Sequence, residues 1–162
     1  MQGGSAAVEL QFRRAEERDA GILTEFNCRL AWETEERQLD RELVLAGVRG
    51  GLARCPEVRY FVAESSGAVI GQLMLTREWS DWRNGWMIWL QSVYVQEGCR
   101  RQKVFQRLLA YAITIVQAED RPVCLRLYVE RHNEAAQACY QSLGFRDAGY
   151  AVMEQPLTAA AE

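Results

Sequence analysis

Three cations, Arg100, Arg101 and Lys103, stand where the chain turns from a strand into a helix, in the segment L-Q-S-V-Y-V-Q-E-G-C-R-R-Q-K-V-F-Q-R-L-L from Leu90 to Leu109. The chemistry open to such a junction is the binding of a phosphate. The start of a helix leaves backbone N–H groups without helical partners. Its dipole adds about half a positive charge, so an anion is stabilised there. On the strand side, Leu90, Ser92 and Tyr94 alternate with Gln91, Val93 and Val95, and the centre favours β structure. Gln96 to Cys99 reads as a turn through Gly98. On the helix side, Val104, Phe105, Leu108, Leu109, Ala112, Ile113 and Val116 recur at helical spacing, which predicts a helix from Gln102 to Glu119.

A second group of residues suits a cationic amine. W-E-T-E-E, from Trp32 to Glu36, and E-W-S-D-W-R-N-G, from Glu78 to Gly85, set carboxylates beside indoles. Charge and cation–π attraction both favour an ammonium there. Glu78, at the end of a predicted core strand, is the candidate general base or amine anchor. Asp81, Trp79 and Trp82 lie in the loop expected after it. Glu33 and Glu35, with Glu36 and Trp32, lie between the first two expected helices. The competing account is plain solvation, since acidic loop residues are mostly exposed. Trp86 and Trp89 read as sheet packing, and the lone His132 as a loop residue.

The elements that must position these groups follow from periodicity and breakers. Residues 1–7 read as a disordered leader and 158–162 as a frayed tail, with one domain over 8–157 between them. Val8 to Arg13 alternates as a first strand. Glu16 to Leu30 and Leu39 to Leu52 read as helices. Arg59 to Glu64 and Ala68 to Thr76 form a hairpin about Ser65-Ser66-Gly67. Glu78 to Gly85 reads as a polar loop, Trp86 to Gln96 as the central strand, and Val123 to Glu130 as a strand after Pro122. Asn133 to Leu143 is a helix stopped at Gly144, and Phe145 to Leu157 supplies a last strand or pair of strands. The order is β-α-α-β-β-β-α-β-α-β, and the strand–helix–strand unit about the long helix implies a parallel pair. That is an α/β fold, a mixed β-sheet flanked by helices.

Composition bounds the function. Over 162 residues the apolar share is 49%, the charged share 25% and the net charge -3. That is ordinary for a soluble domain and unlike a general nucleic-acid binder. No apolar run approaches the roughly 20 residues of a membrane span. The start of the chain carries no secretory signal pattern. Five cysteines at irregular spacing with one histidine predict reduced thiols, a cytoplasmic setting and no metal site.

Two motifs in order resemble the GNAT (Gcn5-related N-acetyltransferase) superfamily. The loop from Arg100 to Phe105 resembles its Q/R-x-x-G-x-G/A motif, with Arg100 on the first position and Lys103 and Phe105 on the two glycine positions. N-E-A-A-Q-A-C-Y-Q-S-L-G-F, Asn133 to Phe145, resembles N-x-x-A-x-x-x-Y-x-x-x-G-F. The resemblance covers residues 61–157. It implies an acyl-CoA N-acyltransferase fold with acetyl-CoA as cosubstrate. It implies that Arg100, Arg101, Gln102, Lys103, Val104 and Phe105 hold the pyrophosphate. It implies that Val93, Tyr94 and Val95 offer backbone groups to the pantetheine arm, with Asn133 and Ala136 beside it. Tyr140 falls on the family's general acid, which protonates the leaving thiolate and borders the cofactor. The expected activity is transfer of an acetyl group to the primary amine of a small, cationic acceptor by direct attack in a ternary complex. Two alternatives stay open: a non-catalytic acyl-CoA sensor of the same fold, in view of the replaced glycines, and a cofactor-free interaction domain using the aromatic loop. A homodimer also stays open.

Overall fold

The computed structural model describes residues 9–157. The expected leader, Val8 of the first strand and the expected tail lie outside them. The chain divides into two compact units, Met1–Tyr128 and Val129–Glu162.

The first unit holds a five-stranded sheet in the order β1-β2-β3-β4-β5. Its strands are β1 (Leu10–Arg14), β2 (Val58–Ser65), β3 (Ala68–Ser80), β4 (Gly85–Val95) and β5 (Pro122–Leu127), and its helices are α1 (Ala20–Glu35), α2 (Arg41–Leu52) and α3 (Val104–Gln117). The first four strands pair antiparallel, and β4 pairs with β5 in parallel. The crossover through α3 requires that last arrangement. The mixed α/β fold expected from the sequence is the fold observed.

Strand alternation divides the core into two layers. On one face Tyr60 and Val62 of β2 are buried with Ala20 and Leu23 of α1 and Val48 of α2, and Met74 of β3 packs against them. Phe61, Leu73, Leu75, Ile88 and Leu90 alternate with these positions onto the opposite face and are buried there. The buried residues Val104, Leu108, Leu109, Ala112 and Val116 of α3 form the apolar stripe expected of a helix lying on a sheet.

Besides shifts of a few residues at other ends, such as a first helix that begins at Ala20 and a fifth strand that ends at Leu127, three departures from the expected elements stand out. Half of the polar loop expected over Glu78–Gly85 is strand. β3 runs to Ser80 and pairs across a four-residue turn with Gly85. Cross-strand pairs hold this end together: the Trp79 and Trp86 rings meet edge to face at 5.0 Å, and Trp89 donates to Glu78 at 2.6 Å. Gly85 is obligatory there, because a Cβ would lie 2.7 Å from the Arg121 carbonyl and 2.6 Å from Val123. Second, α1 continues past Leu30 to Glu35, so Glu33 and Glu35 sit in its last turn rather than between helices. Third, no strand forms over the described residues 145–157. Gly149 and Pro156 interrupt that segment, and Tyr150, Val152, Met153 and Leu157 are exposed, so no buried face fixes a strand register.

The second unit contains α4 (Glu134–Ser142). Asn133 caps its start, its side chain accepting from the Ala136 N–H at 3.0 Å. Its end is a Schellman turn. Gly144 adopts φ +91°, its N–H reaches the Gln141 carbonyl, and the Phe145 N–H reaches the Tyr140 carbonyl. The Tyr140 and Phe145 rings meet at 5.7 Å, the apolar contact that accompanies such a turn.

Candidate active site

The site begins with a fault in β4. Gln72 of β3 faces Tyr94, while Met74 faces Gln91, so Ser92 and Val93 together oppose one residue. Ser92 takes φ +50° to make this bulge. Gln72, fully buried, braces it by donating to the Ser92 carbonyl at 3.1 Å and to Asn27 of α1 at 2.7 Å.

Beyond the bulge β4 loses one neighbour. Its parallel pairing with β5 ends at Leu90 and Leu127, whereas β4 runs on to Val95. Gln96 donates to Ile70 of β3. By alternation the Tyr94 backbone serves β3, and that of Val93 and Val95 turns to the vacated side. The Val95 carbonyl there accepts from Arg100 Nε at 2.8 Å. Of the three residues expected to offer backbone groups, Val93 and Val95 therefore face the opening, and Tyr94 contributes its ring.

That ring is 4% exposed and tilts against Phe26 of α1 at 5.0 Å. Its hydroxyl donates to Glu33 at 2.8 Å. The other Glu33 oxygen accepts from Arg100 at 2.5 Å, and the Arg100 guanidinium lies 5.3 Å from the Tyr94 ring centre. Burial opposes ionisation of Glu33, but the hydrogen bonds from Tyr94 and Arg100 outweigh it and hold its carboxyl below the usual range. Burial, with the Glu33 contact, pushes the Tyr94 phenol up. Arg100 thus ties the loop to α1 through Glu33, which Tyr94 holds from the other side.

The loop then enters α3. Arg101 adopts φ +63° and Lys103 φ +60°. Both backbones are left-handed, the conformation that glycine takes most readily. Lys103 is the N-cap, and no side chain caps the first turn of α3. Gly71 of β3 lies beneath: a Cβ there would stand 3.3 Å from the Tyr94 carbonyl and 3.4 Å from both Val104 and Val95. It lets the helix start approach the sheet. Sequence reading passed over Gly71 and Gln72, whose roles depend on partners distant in the chain.

The acceptor-side candidates separate. Glu78 shares a sheet face with Trp89 and hydrogen-bonds its indole. Trp79 alternates to the opposite face, against Trp86, whose ring also lies 4.3 Å from the Arg77 guanidinium. Asp81 accepts from the Trp82 N–H at 2.9 Å within the hairpin turn, and Trp82 is 90% exposed at its tip. Glu35 ends α1. In the second unit, burial pushes the Tyr140 phenol up, with neighbouring Cys139 adding to the effect.

The site thus lies in a mixed sheet whose fourth strand loses its parallel neighbour just before an uncapped, cation-rich helix start. A model of the acetyltransferase (GNAT) family matches residues 20–145, and the chain belongs to that family. Among solved structures it is similar to a possible acetyltransferase from Clostridium difficile 630, at 37% identity and TM-score 0.85, covering 93% of this chain and 99% of that one. It is also similar to a predicted acetyltransferase with acetyl-CoA from Clostridium acetobutylicum, at 15% identity and TM-score 0.76, covering 91% and 96%. A third likeness is to the aminoglycoside N-acetyltransferase AAC(6')-Iy in complex with CoA, at 14% identity and TM-score 0.75, covering 95% and 99%. At the two lower identities the likeness shows the fold. No curated protein matches the chain.

The chain is an acyltransferase with acetyl-CoA as cosubstrate. The residues present fit that molecule. The Val93 and Val95 edge would offer amide groups to a chain of amides, and the uncapped α3 start with Arg101 and Lys103 would offer donors and charge to a pyrophosphate. Among the described residues no helix is long and apolar enough to cross a membrane.

Proposed function

We propose that this enzyme acetylates the primary amine of a small, cationic acceptor by direct attack within a ternary complex. The observation that carries the reading is the adjacency of the vacated β4 edge and the left-handed, uncapped entry to α3. Together they can receive a long amide-bearing arm and its phosphates side by side. The family supplies the acetyl donor. That AAC(6')-Iy is an aminoglycoside N-acetyltransferase supports a small-molecule amine as acceptor.

In the reaction the acceptor nitrogen bonds to the thioester carbonyl carbon, the carbon–sulfur bond breaks, the amine loses one proton and the thiolate gains one. Tyr140 is the proposed donor of that proton. A phenol is protonated at neutral pH, the state an acid must hold, and burial shifts Tyr140 further in that direction. Glu78, exposed and on the sheet, is the proposed proton acceptor or amine anchor.

Calorimetric titration with acetyl-CoA followed by an amine screen tests the reading. Micromolar binding and turnover on small amines are expected. Binding without turnover on any amine would favour a sensor. For Tyr140→Phe, kcat should fall by about 10²-fold with the KM for acetyl-CoA little changed, in line with the loss of one general acid. An unchanged kcat would remove Tyr140 from the mechanism.

A further inference from the structure

Three adjacent strands bring an acid, a two-ring aromatic platform and a base onto one face of the sheet. Thr76 faces Trp89 across the β3–β4 ladder, and Trp89 faces Arg126 across the β4–β5 ladder. Glu78 lies two residues along β3 from Thr76, on the same face. The contacts match the register. The Trp89 indole donates to Glu78 at 2.6 Å, Tyr128 stacks on Trp89 at 4.5 Å with 20° between the rings, and the Arg126 guanidinium lies 5.7 Å from the Trp89 ring centre.

This face continues the one covered at Met74 by α1 and α2, but it emerges from that cover. Glu78 is exposed and Tyr128 is 55% exposed. It also leads to the opening. Gln91, hydrogen-bonded to Thr76 at 2.8 Å, is the next residue of this face along β4, and the Ser92 bulge follows at once. From Trp89 to Ser92 is three residues, or about 10 Å of strand. A small molecule on the platform therefore lies within reach of the vacated edge.

The two charges flank the rings without neutralising each other, since Glu78 makes no ion pair among the described residues. The Arg126 guanidinium carries five donors in a planar fork suited to a carboxylate, so a contact already made leaves others. A lone ammonium would need only Glu78 and the rings. A binding face with both signs selects a molecule carrying both.

We propose that the acceptor is a zwitterion, a free amino acid or a compound with that head group, whose ammonium meets Glu78 and whose carboxylate meets Arg126 over the Trp89–Tyr128 platform. This rests on the acetyltransferase reading and narrows its acceptor. It also separates this enzyme from one selecting a polycationic amine, for which Arg126 would be a repulsive element.

The test compares the free amino acids with their carboxamides, in which the carboxylate is neutral and the amine retained. kcat/KM for at least one amino acid should exceed that of its amide by about tenfold or more. Arg126→Gln should collapse this ratio towards one by raising KM for the amino acid, with KM for acetyl-CoA unmoved. Glu78→Gln should weaken amino acid and amide alike. Equal or better turnover of the amides, or an Arg126→Gln effect of the same size on both, would overturn the proposal. Calorimetry of the same pairs on the CoA-bound protein keeps the two readings apart. Carboxylate-dependent binding lost in Arg126→Gln, without turnover, would sustain the zwitterion site and sink acetyl transfer. Absence of carboxylate-dependent binding and of turnover would sink the zwitterion site.

Discussion

Lys103 shows how one residue can keep a glycine's backbone while discarding its emptiness. At φ +60° it carries the left-handed turn into α3, and Arg101 at φ +63° does the same two residues earlier. Such a conformation costs a non-glycine residue about 1–2 kcal/mol. Glycine would remove that strain but loses about 0.5–1 kcal/mol through the freer unfolded chain. Lys103→Gly should therefore stabilise the protein by up to about 1 kcal/mol, or roughly 2–4 °C in Tm at this size. The same change removes an ammonium from the helix start, so acetyl-CoA should bind several-fold more weakly. A stability gain with unchanged affinity, read by thermal melts and calorimetry, would show that the lysine serves the backbone alone. The sequence revealed the position and the departure from glycine. It could not reveal that lysine adopts the glycine conformation, because a left-handed residue leaves no periodic trace.

At the scale of elements, Glu33 marks the limit of reading helix ends. Periodicity placed the end of the first helix at Leu30. The helix runs one turn further, and that turn carries Glu33 to Tyr94 and Arg100. A residue expected on the acceptor side thus also braces the loop that enters α3. Glu33→Gln should raise the KM for acetyl-CoA by several-fold while kcat and the KM of the acceptor change little. A change confined to the acceptor KM would return Glu33 to the other side of the site. The folded-state pKa of Glu33 is depressed, so its contribution is full above its ordinary value of 4.5 and lost as pH falls through the lower folded value. α4 was the more legible element. Asn133, Gly144 and Phe145 are a cap, a left-handed stop and the contact that closes it. These are local interactions, and local interactions are what a sequence displays directly.

Across the whole first unit, the hairpin and the parallel pair about the long helix were legible because short connections and one crossover leave few alternatives. The buried charges were not. The Arg59 side chain is 1% exposed and pairs with Glu119, just past the end of α3, while its Nε and one Nη lack partners. Burial lowers its pKa, and Glu119 opposes that. Removing one member of a buried pair costs about 3–5 kcal/mol. Glu119→Ala should fall near the lower end, about 3 kcal/mol, because Glu119 itself is part exposed. Arg59→Met, which removes the charge and keeps the bulk, should cost less. Urea unfolding of both variants decides it, and the reverse order would mean the pair is stabilising in its own right. Asp19 adds an acid limit. Its burial is outweighed by Arg13 and the Glu16 N–H, which hold its carboxyl below the ordinary 3.8. Its contribution is present above that value and lost as pH falls through the folded pKa.

The bulge at Ser92 also sets the parity of everything that follows it. Counting by twos from Trp89 and Gln91 would send Val93 and Val95 to the α1 face and Tyr94 to the α3 face. The one extra residue inverts the count, and so Tyr94 meets Phe26 and Glu33 of α1. β4 is in effect two strands spliced half a period out of phase, one carrying Trp89 and the other leading to the entry of α3. Deletion of Ser92 would close the bulge, with Val93 alone opposite Leu73, and would leave Tyr94 opposite Gln72 on its present face. The second half would keep its contact with Glu33, but the strand would lose its left-handed residue and the carbonyl that Gln72 braces. Such a deletion should therefore straighten the edge of β4 without turning Tyr94 around.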